Sequence, residues 1–252
     1  MVQDSTSSVS GSALITATGG TVSTVCTNFK VHVFNSPGTF CISGGGGDLA
    51  KVDYIVVGGG AGGAGGYRES KTSAVSGCFT ASPLASSTPL GPFSPGGIPV
   101  TVGAGGSAPG NPPNDGGTGS VSTFSTITSA GGGYGGGRGD PGNPGGSGGG
   151  WGGDSGHHDD PGTGNVPPVS PPQGSTGGFG LSTCSSITCA GSGGGGAGGA
   201  APNWPGTRGA GSPGGNGTTS HMTGSPVVRA GGGGGAGCSN GPNSGGSAGP
   251  GG

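Results

Sequence analysis

The sequence predicts a mainly β and irregular fold with no significant α-helix: a small N-terminal β region followed by packed, glycine-rich polyproline II helices. Three observations lead there. Runs of β-branched and aromatic residues alternate with turn signals up to about residue 57. Glycine supplies 74 of the 252 residues, and hydrophobic residues only 27%. No stretch carries the apolar period of an amphipathic helix.

The N-terminal strands come first. "TVSTV" at 21–25, "FKVHVF" at 29–34, "TFCIS" at 39–43 and "VDYIVV" at 52–57 have strand composition, and Asn35-Ser36-Pro37-Gly38 is a turn. Phe29-Lys30-Val31-His32-Val33 alternates apolar and polar, which places His32 on a polar face. Further strand-like patches lie at 96–106 and 120–133. The reading divides the chain into a β region at 1–57 serving attachment or assembly, mixed glycine-rich loops with short strands at 58–130, and a polyproline II bundle at 131–252.

In the bundle, glycine recurs at 133, 136, 139, 142, 145 and 148, a period of three. Polyproline II has three residues per turn and no internal hydrogen bonds, so such a run has one bare face. Interruptions such as Ala200-Ala201-Pro202 disfavour a continuous collagen rod and favour short segments joined by turns. Eight residues at ~3.1 Å each span roughly 25 Å. N–H groups of one segment then reach C=O groups of the next, as buried backbone requires. Ordering 74 glycines adds a cost of order ~40–70 kcal/mol relative to alanine. Only a dense backbone network or assembly offsets that.

Composition also excludes partners. Seven basic against nine acidic residues give a net charge of −2, which does not suit a phosphate backbone. No stretch is long and apolar enough for membrane insertion. The opening twenty residues lack the pattern of a secretory signal, so an extracellular role is expected through lysis or a leader outside this sequence.

"YIVVGGGAGGAGG" at 54–66 matches the Gly-x-Gly-x-x-Gly nucleotide fingerprint at Gly58, Gly60 and Gly63. That motif needs a helix after its last glycine and an acid about twenty residues on. Neither is readable, so no cofactor is expected. No nucleophile–base arrangement or carboxylate pair has a supporting context, so the protein is not expected to be an enzyme.

"GHHDDPG" gathers the residues of a possible metal site, His157, His158, Asp159 and Asp160, against the alternative of a polar turn before Pro161. Trp151, Phe179, Trp204, Tyr134 and Tyr67 are isolated aromatics amid glycine, either plugs between helices or platforms for a sugar. Trp151, Trp204, Asn203 and Arg208 are the receptor-contact candidates. Arg138-Gly139-Asp140 sits within the period-three run. The six cysteines allow fifteen pairings. In an oxidising setting Cys26–Cys41 is the natural pair in the β region and Cys184 is expected to bond either Cys189 or a distant partner, with buried free thiols as the alternative.

The blocks "VDYIVVGGGAGGAGGYRES", "PVTVGAGGSA", "STFSTITSAGGG", "GNVPPVSPPQGSTGG" and "MTGSPVVRAGGGGGAG" occur in that order. From about residue 20 the chain resembles the glycine-rich proteins of aquatic phages, of tail-fibre type. More distantly it is similar to the glycine-rich adhesins of T-even-like phages and, in helix packing, to snow-flea antifreeze protein. The resemblance implies packed polyproline II helices bearing loops that bind a host-surface glycan or protein receptor. It also implies other virion subunits or further copies as partners, and a virion or extracellular location. A subunit of an extracellular fibril is the alternative, and ice binding a third. Members commonly continue to a further apolar strand, so an incomplete C-terminus is expected.

Overall fold

A computed structural model describes residues 2–5 (backbone only), 15–27, 29–45, 50–72, 79–108, 115–153, 160–180, 190–204, 210–237 and 244–252. These contain no helix. Eleven strands form two sheets: β1 (Val2–Ser5), β2 (Thr16–Thr18), β3 (Thr21–Val25), β4 (Phe29–Val33), β5 (Gly38–Gly44), β6 (Asp53–Val57), β7 (Tyr67–Ser70), β8 (Ala85–Ser86), β9 (Gly96–Thr101), β10 (Ser122–Phe124) and β11 (Ile127–Ser129). One sheet has the order β3-β4-β1-β6-β7-β8 and the other β11-β10-β9-β5-β2. A separate hairpin joins β12 (Thr218–Ser220) to β13 (Val227–Arg229).

The two sheets pack face to face. Alternate residues of the packed strands point inward, so Val52, Tyr54 and Val56 meet Phe40, Ile42 and Phe124 across the interior. The other face of β6 and β7 is covered as well: Ile55 and Tyr67 pack with Phe79, Ala197, Met222 and Ala230. Burial on both faces explains why "DYIVV" reads as a continuous run.

Three expectations are corrected. The boundary at 57/58 does not hold, because β5 pairs with β9 along five residues and closes the sandwich across it. The expected bundle from 131 onward likewise contains the β12–β13 hairpin, which reaches back to the first sheet. His32 is not on a polar face. It shares register with Val2 of β1, which is level with Tyr54, so it points into the sandwich. There its ring stands edge-on to Phe40, with centroids 5.1 Å apart, and its Nδ1 lies 2.8 Å from the Gly19 carbonyl oxygen.

Beyond the sandwich the chain runs out and back in short segments: 58–60 and 63–66, 102–108 and 115–121, 130–137 and 140–146, and on to 244–252. Their backbone bonds step by three. Gly191, Gly194 and Ala197 donate to Ala236, Gly233 and Ala230, while the next residues round the turn, Ser192 and Gly195, donate to Trp151 and Gly148. Gly211, Gly214 and Gly217 donate to Ser244, Ser247 and Pro250. Each segment thus addresses a different neighbour from each of three faces, the pattern of packed polyproline II helices. The period-three run at 133–148 is divided among three such segments. Gly139 lies in a turn with φ of +82°, a conformation glycine adopts without strain.

Elsewhere the glycines answer a demand for space. A Cβ on Gly59 would overlap the Ala104 carbonyl, one on Gly194 that of Gly62, and one on Gly214 that of Gly232. At Gly199 a Cβ meets nothing within 4 Å. Gly194→Ala is therefore expected to destabilise by about 1–3 kcal/mol or more through overpacking. Gly199→Ala is expected to be neutral or to stabilise by about 0.4–1 kcal/mol. Urea unfolding of the two variants checks the contrast.

Burial holds the His32 imidazole below its ordinary pKa, with Lys30 acting in the same direction, against the raising effect of the Gly19 carbonyl. Below the unfolded value of about 6.5 the unfolded chain takes up the proton first, so stability falls as pH drops from there toward the folded pKa. His32→Gln is expected to flatten the slope of unfolding free energy across that window.

Candidate contact surface at the free end of the slab

The slab has two unlike ends, and the sandwich end is built from buried polar groups. On the slab side of the first sheet, Glu69 of β7 accepts hydrogen bonds from the Tyr67 hydroxyl (3.0 Å), the Ser82 N–H (3.0 Å) and the Ser220 hydroxyl (2.7 Å). Ser220 closes β12, so this carboxylate ties the slab's hairpin to the sheet. Asp53 accepts from the Ser70 hydroxyl at 2.8 Å and the Thr72 N–H at 3.2 Å.

Burial pushes the Asp53 carboxyl up, against the lowering effect of its Ser70 and Thr72 hydrogen bonds and of the nearby Lys71 charge. It also pushes up the Tyr67 hydroxyl, assisted by the Glu69 charge beside it. Lys71 is lowered by burial, against the attraction of Asp53 and Glu69. Its ammonium donates to the Phe79 carbonyl and lies 3.9 Å from the centre of that ring. Both carboxylates are engaged in joining elements.

The proline-rich turn reinforces this end. Asn165 Oδ1 accepts from the N–H groups of Val169 and Gln173, both at 3.1 Å. The Gln173 side chain donates to the Pro167 carbonyl (2.8 Å) and accepts from the Ala130 N–H (2.9 Å), and its own carbonyl accepts from Tyr67 N–H at 2.7 Å. Gln173 is fully buried and joins three parts of the chain. Nothing in the block "GNVPPVSPPQGSTGG" marks this glutamine as the joint.

At the opposite end the segments turn back. The flanks of the returns are brought together by backbone bonds: Ser192 N–H to Trp151 O, Trp204 N–H to Phe179 O, Gly191 N–H to Ala236 O, and Gly211 N–H to Ser244 O. Gly137 N–H donates to Asp115 Oδ1 at 2.7 Å, which adds the flank of a further return. The described residues that flank 109–114, 154–159, 181–189, 205–209 and 238–243 therefore lie together at this one end. The Arg138-Gly139-Asp140 turn lies here too, with Arg138 and Asp140 exposed. It is a turn at the free end and is not packed within a period-three helix.

The aromatic candidates are corrected. Trp151 is 1% exposed and Trp204 4%, so neither presents a ring to a receptor. Both are plugs. A slab with a backbone interior leaves gaps as wide as an indole, and Trp151 fills one over Gly180, where a Cβ would overlap its ring. Trp204 donates its indole N–H to the Ala210 carbonyl at 3.0 Å. Asn203 is exposed, and its Oδ1 accepts from the Phe179 N–H at 3.2 Å. Phe179 itself, 45% exposed, is the aromatic that faces solvent. Its signal was legible: Gly178 and Gly180 are inward positions, which leaves residue 179 pointing out.

Arg208, Cys184 and Cys189 lie outside the described residues, as do His157, His158 and Asp159. Asp160 is exposed, and its carbonyl accepts from Gly142 N–H. Among the described residues no group of three or more His, Cys, Asp or Glu could hold a metal ion, and no helix is long and apolar enough to cross a membrane. No family model, curated protein or solved structure matches the chain.

The Cys26–Cys41 pair is overturned. Cys26 is disulfide-bonded, to a partner outside the described residues, whereas Cys41 is free and exposed. Cys26 occupies the β3–β4 turn of one sheet. Cys41 is on β5 of the other, between the inward-facing Phe40 and Ile42, so alternation turns it outward. Mass spectrometry of non-reduced peptides is expected to find Cys26 cross-linked and Cys41 open to alkylation.

Proposed function

We propose that the protein is a structural adhesion component of a phage virion, of tail-fibre or receptor-binding type, and not an enzyme. The sandwich serves attachment to other virion subunits or copies, and the slab holds its free end toward a host-surface glycan or protein receptor. The location is virion or extracellular. The observation that carries this reading is the gathering, at one end of the slab away from the sandwich, of the described residues on either side of five chain returns. A backbone lattice fixes their flanks, and loops on a rigid scaffold are where binding residues concentrate. The exposed Phe179 and Asn203 lie among those flanks.

A second reading, a subunit of an extracellular glycine-rich fibril, is favoured by β3. This five-residue edge strand is exposed along nearly its whole length and carries neither charge nor proline to block pairing with another chain.

Immunogold imaging of particles tests the choice. Label at tail tips or fibre ends is expected, label along a helical filament favours the fibril, and label on neither sinks both readings. Phe179→Ala is expected to reduce adsorption to host cells about tenfold, equivalent to ~1.4 kcal/mol, without moving the unfolding midpoint.

A further inference from the structure

A cavity of about 380 Å³ lies where the two sheets of the sandwich meet the β12–β13 hairpin. Val33 and Phe34 at the end of β4, Ile55 and Val57 of β6, and Val100 and Phe124 of the facing sheet line it. Cavities of this size, walled mainly by apolar side chains with a few polar groups, are typical of small-molecule sites.

The cavity reaches both faces of the first sheet. Along β6, Val56 belongs to the core between the sheets, whereas Ile55 and Val57 belong to the layer facing the slab, and all three line the cavity. An occupant therefore meets two environments. Between the sheets its walls are Val56, Val100 and Phe124. On the slab side stands Arg229, the one charged residue among the described residues that line the cavity.

The hairpin aims that charge. Arg229 lies opposite Thr218 and shares a face with Ser220, whose hydroxyl bonds Glu69, so its side chain is turned toward the first sheet. Its Nη1 donates to the Val227 carbonyl at 3.3 Å. Glu69 acts on it through its charge, while the Glu69 oxygens already accept from Tyr67, Ser82 and Ser220. A guanidinium carries five N–H donors in a planar fork that matches a carboxylate, and it stays charged when partly buried. Charge complementarity selects an anionic head, and the apolar walls select a hydrocarbon tail. At about 30 Å³ per heavy atom, the share of one water in the liquid, the volume holds roughly twelve such atoms. Decanoate is of that size.

We propose that this cavity binds a small amphipathic carboxylate, a medium-chain fatty acid, with its tail between the sheets and its head on Arg229. The site belongs to the sandwich and stands whether or not the free end binds a receptor.

Titration calorimetry of the full chain with sodium decanoate, kept below micelle-forming concentrations, is expected to show saturable binding of one molecule per chain. Arg229→Gln is expected to weaken decanoate about tenfold and to leave the affinity for decanol unchanged, because a charge-assisted bond to the head alone is lost. Val100→Trp, which fills the space between the sheets, is expected to abolish binding of both. Independently of folding in the variants, the unaltered protein is labelled with a decanoate bearing a diazirine at its tail end, and the modified peptides are mapped. Label at Val56, at residues 100–102 or at residues 122–124 is expected. The proposal is overturned by an absence of saturable decanoate binding or by label confined to other segments. A folded Arg229→Gln chain that loses no more affinity for decanoate than for decanol also overturns it, as does undiminished binding in Val100→Trp.

Discussion

Carbonyl oxygens of one segment occupy the space that the neighbouring segment's Cβ atoms would need, and the rest of the slab depends on that approach. At Gly59, Gly194 and Gly214 the obstacle to a side chain is the neighbouring backbone itself. Only at such separations do N–H groups on three faces of a helix reach acceptors on three different neighbours. The interior is then held by hydrogen bonds and backbone contacts, which is how a chain with 27% hydrophobic residues fills its volume. Each bond contributes a modest net amount, about 0.5–1.5 kcal/mol. Leaving a buried N–H unpaired costs more, so the lattice is strongest when complete.

Apolar burial is concentrated where the lattice ends. β6 is covered on both faces, by Phe40 and Phe124 on one side and by Met222 and Phe79 on the other. Between these layers lie Glu69, Asp53 and Gln173, each with its polar atoms engaged. A glycine segment offers little for a sheet to grip, and the hydroxyl of Ser220 and the backbone N–H of Ala130 provide points of attachment that need no bulky side chain. Hydrophobic packing and the backbone lattice meet in one layer.

Much of this was legible in the sequence. β3, β4, β5 and β6 follow from β-branched composition and turn signals, and the three-residue stepping of the slab from glycine spacing. β7 escaped because "YRES" looks polar, yet Tyr67 and Glu69 satisfy each other in the interior. His32 escaped because alternation within one strand does not say which face is covered. Cys26 and Cys41 are close in sequence but belong to different sheets, so proximity along the chain misled. The tryptophans were read correctly as candidate plugs and wrongly as candidate contacts. Composition shows that an aromatic is isolated, but not whether glycine segments close over it.

The alternation of outward and inward segments has a mechanical side. Hydrogen bonds between parallel-lying segments are directed across the segment axes, from Gly191 to Ala236 and from Gly211 to Ser244. A load applied at the turns and resisted at the sandwich runs along those axes. It strains each ladder in shear, with its rungs bearing the force together, and does not peel them one after another. The same bonds that compensate for a missing oily core therefore make the body stiffest along the line joining its two ends.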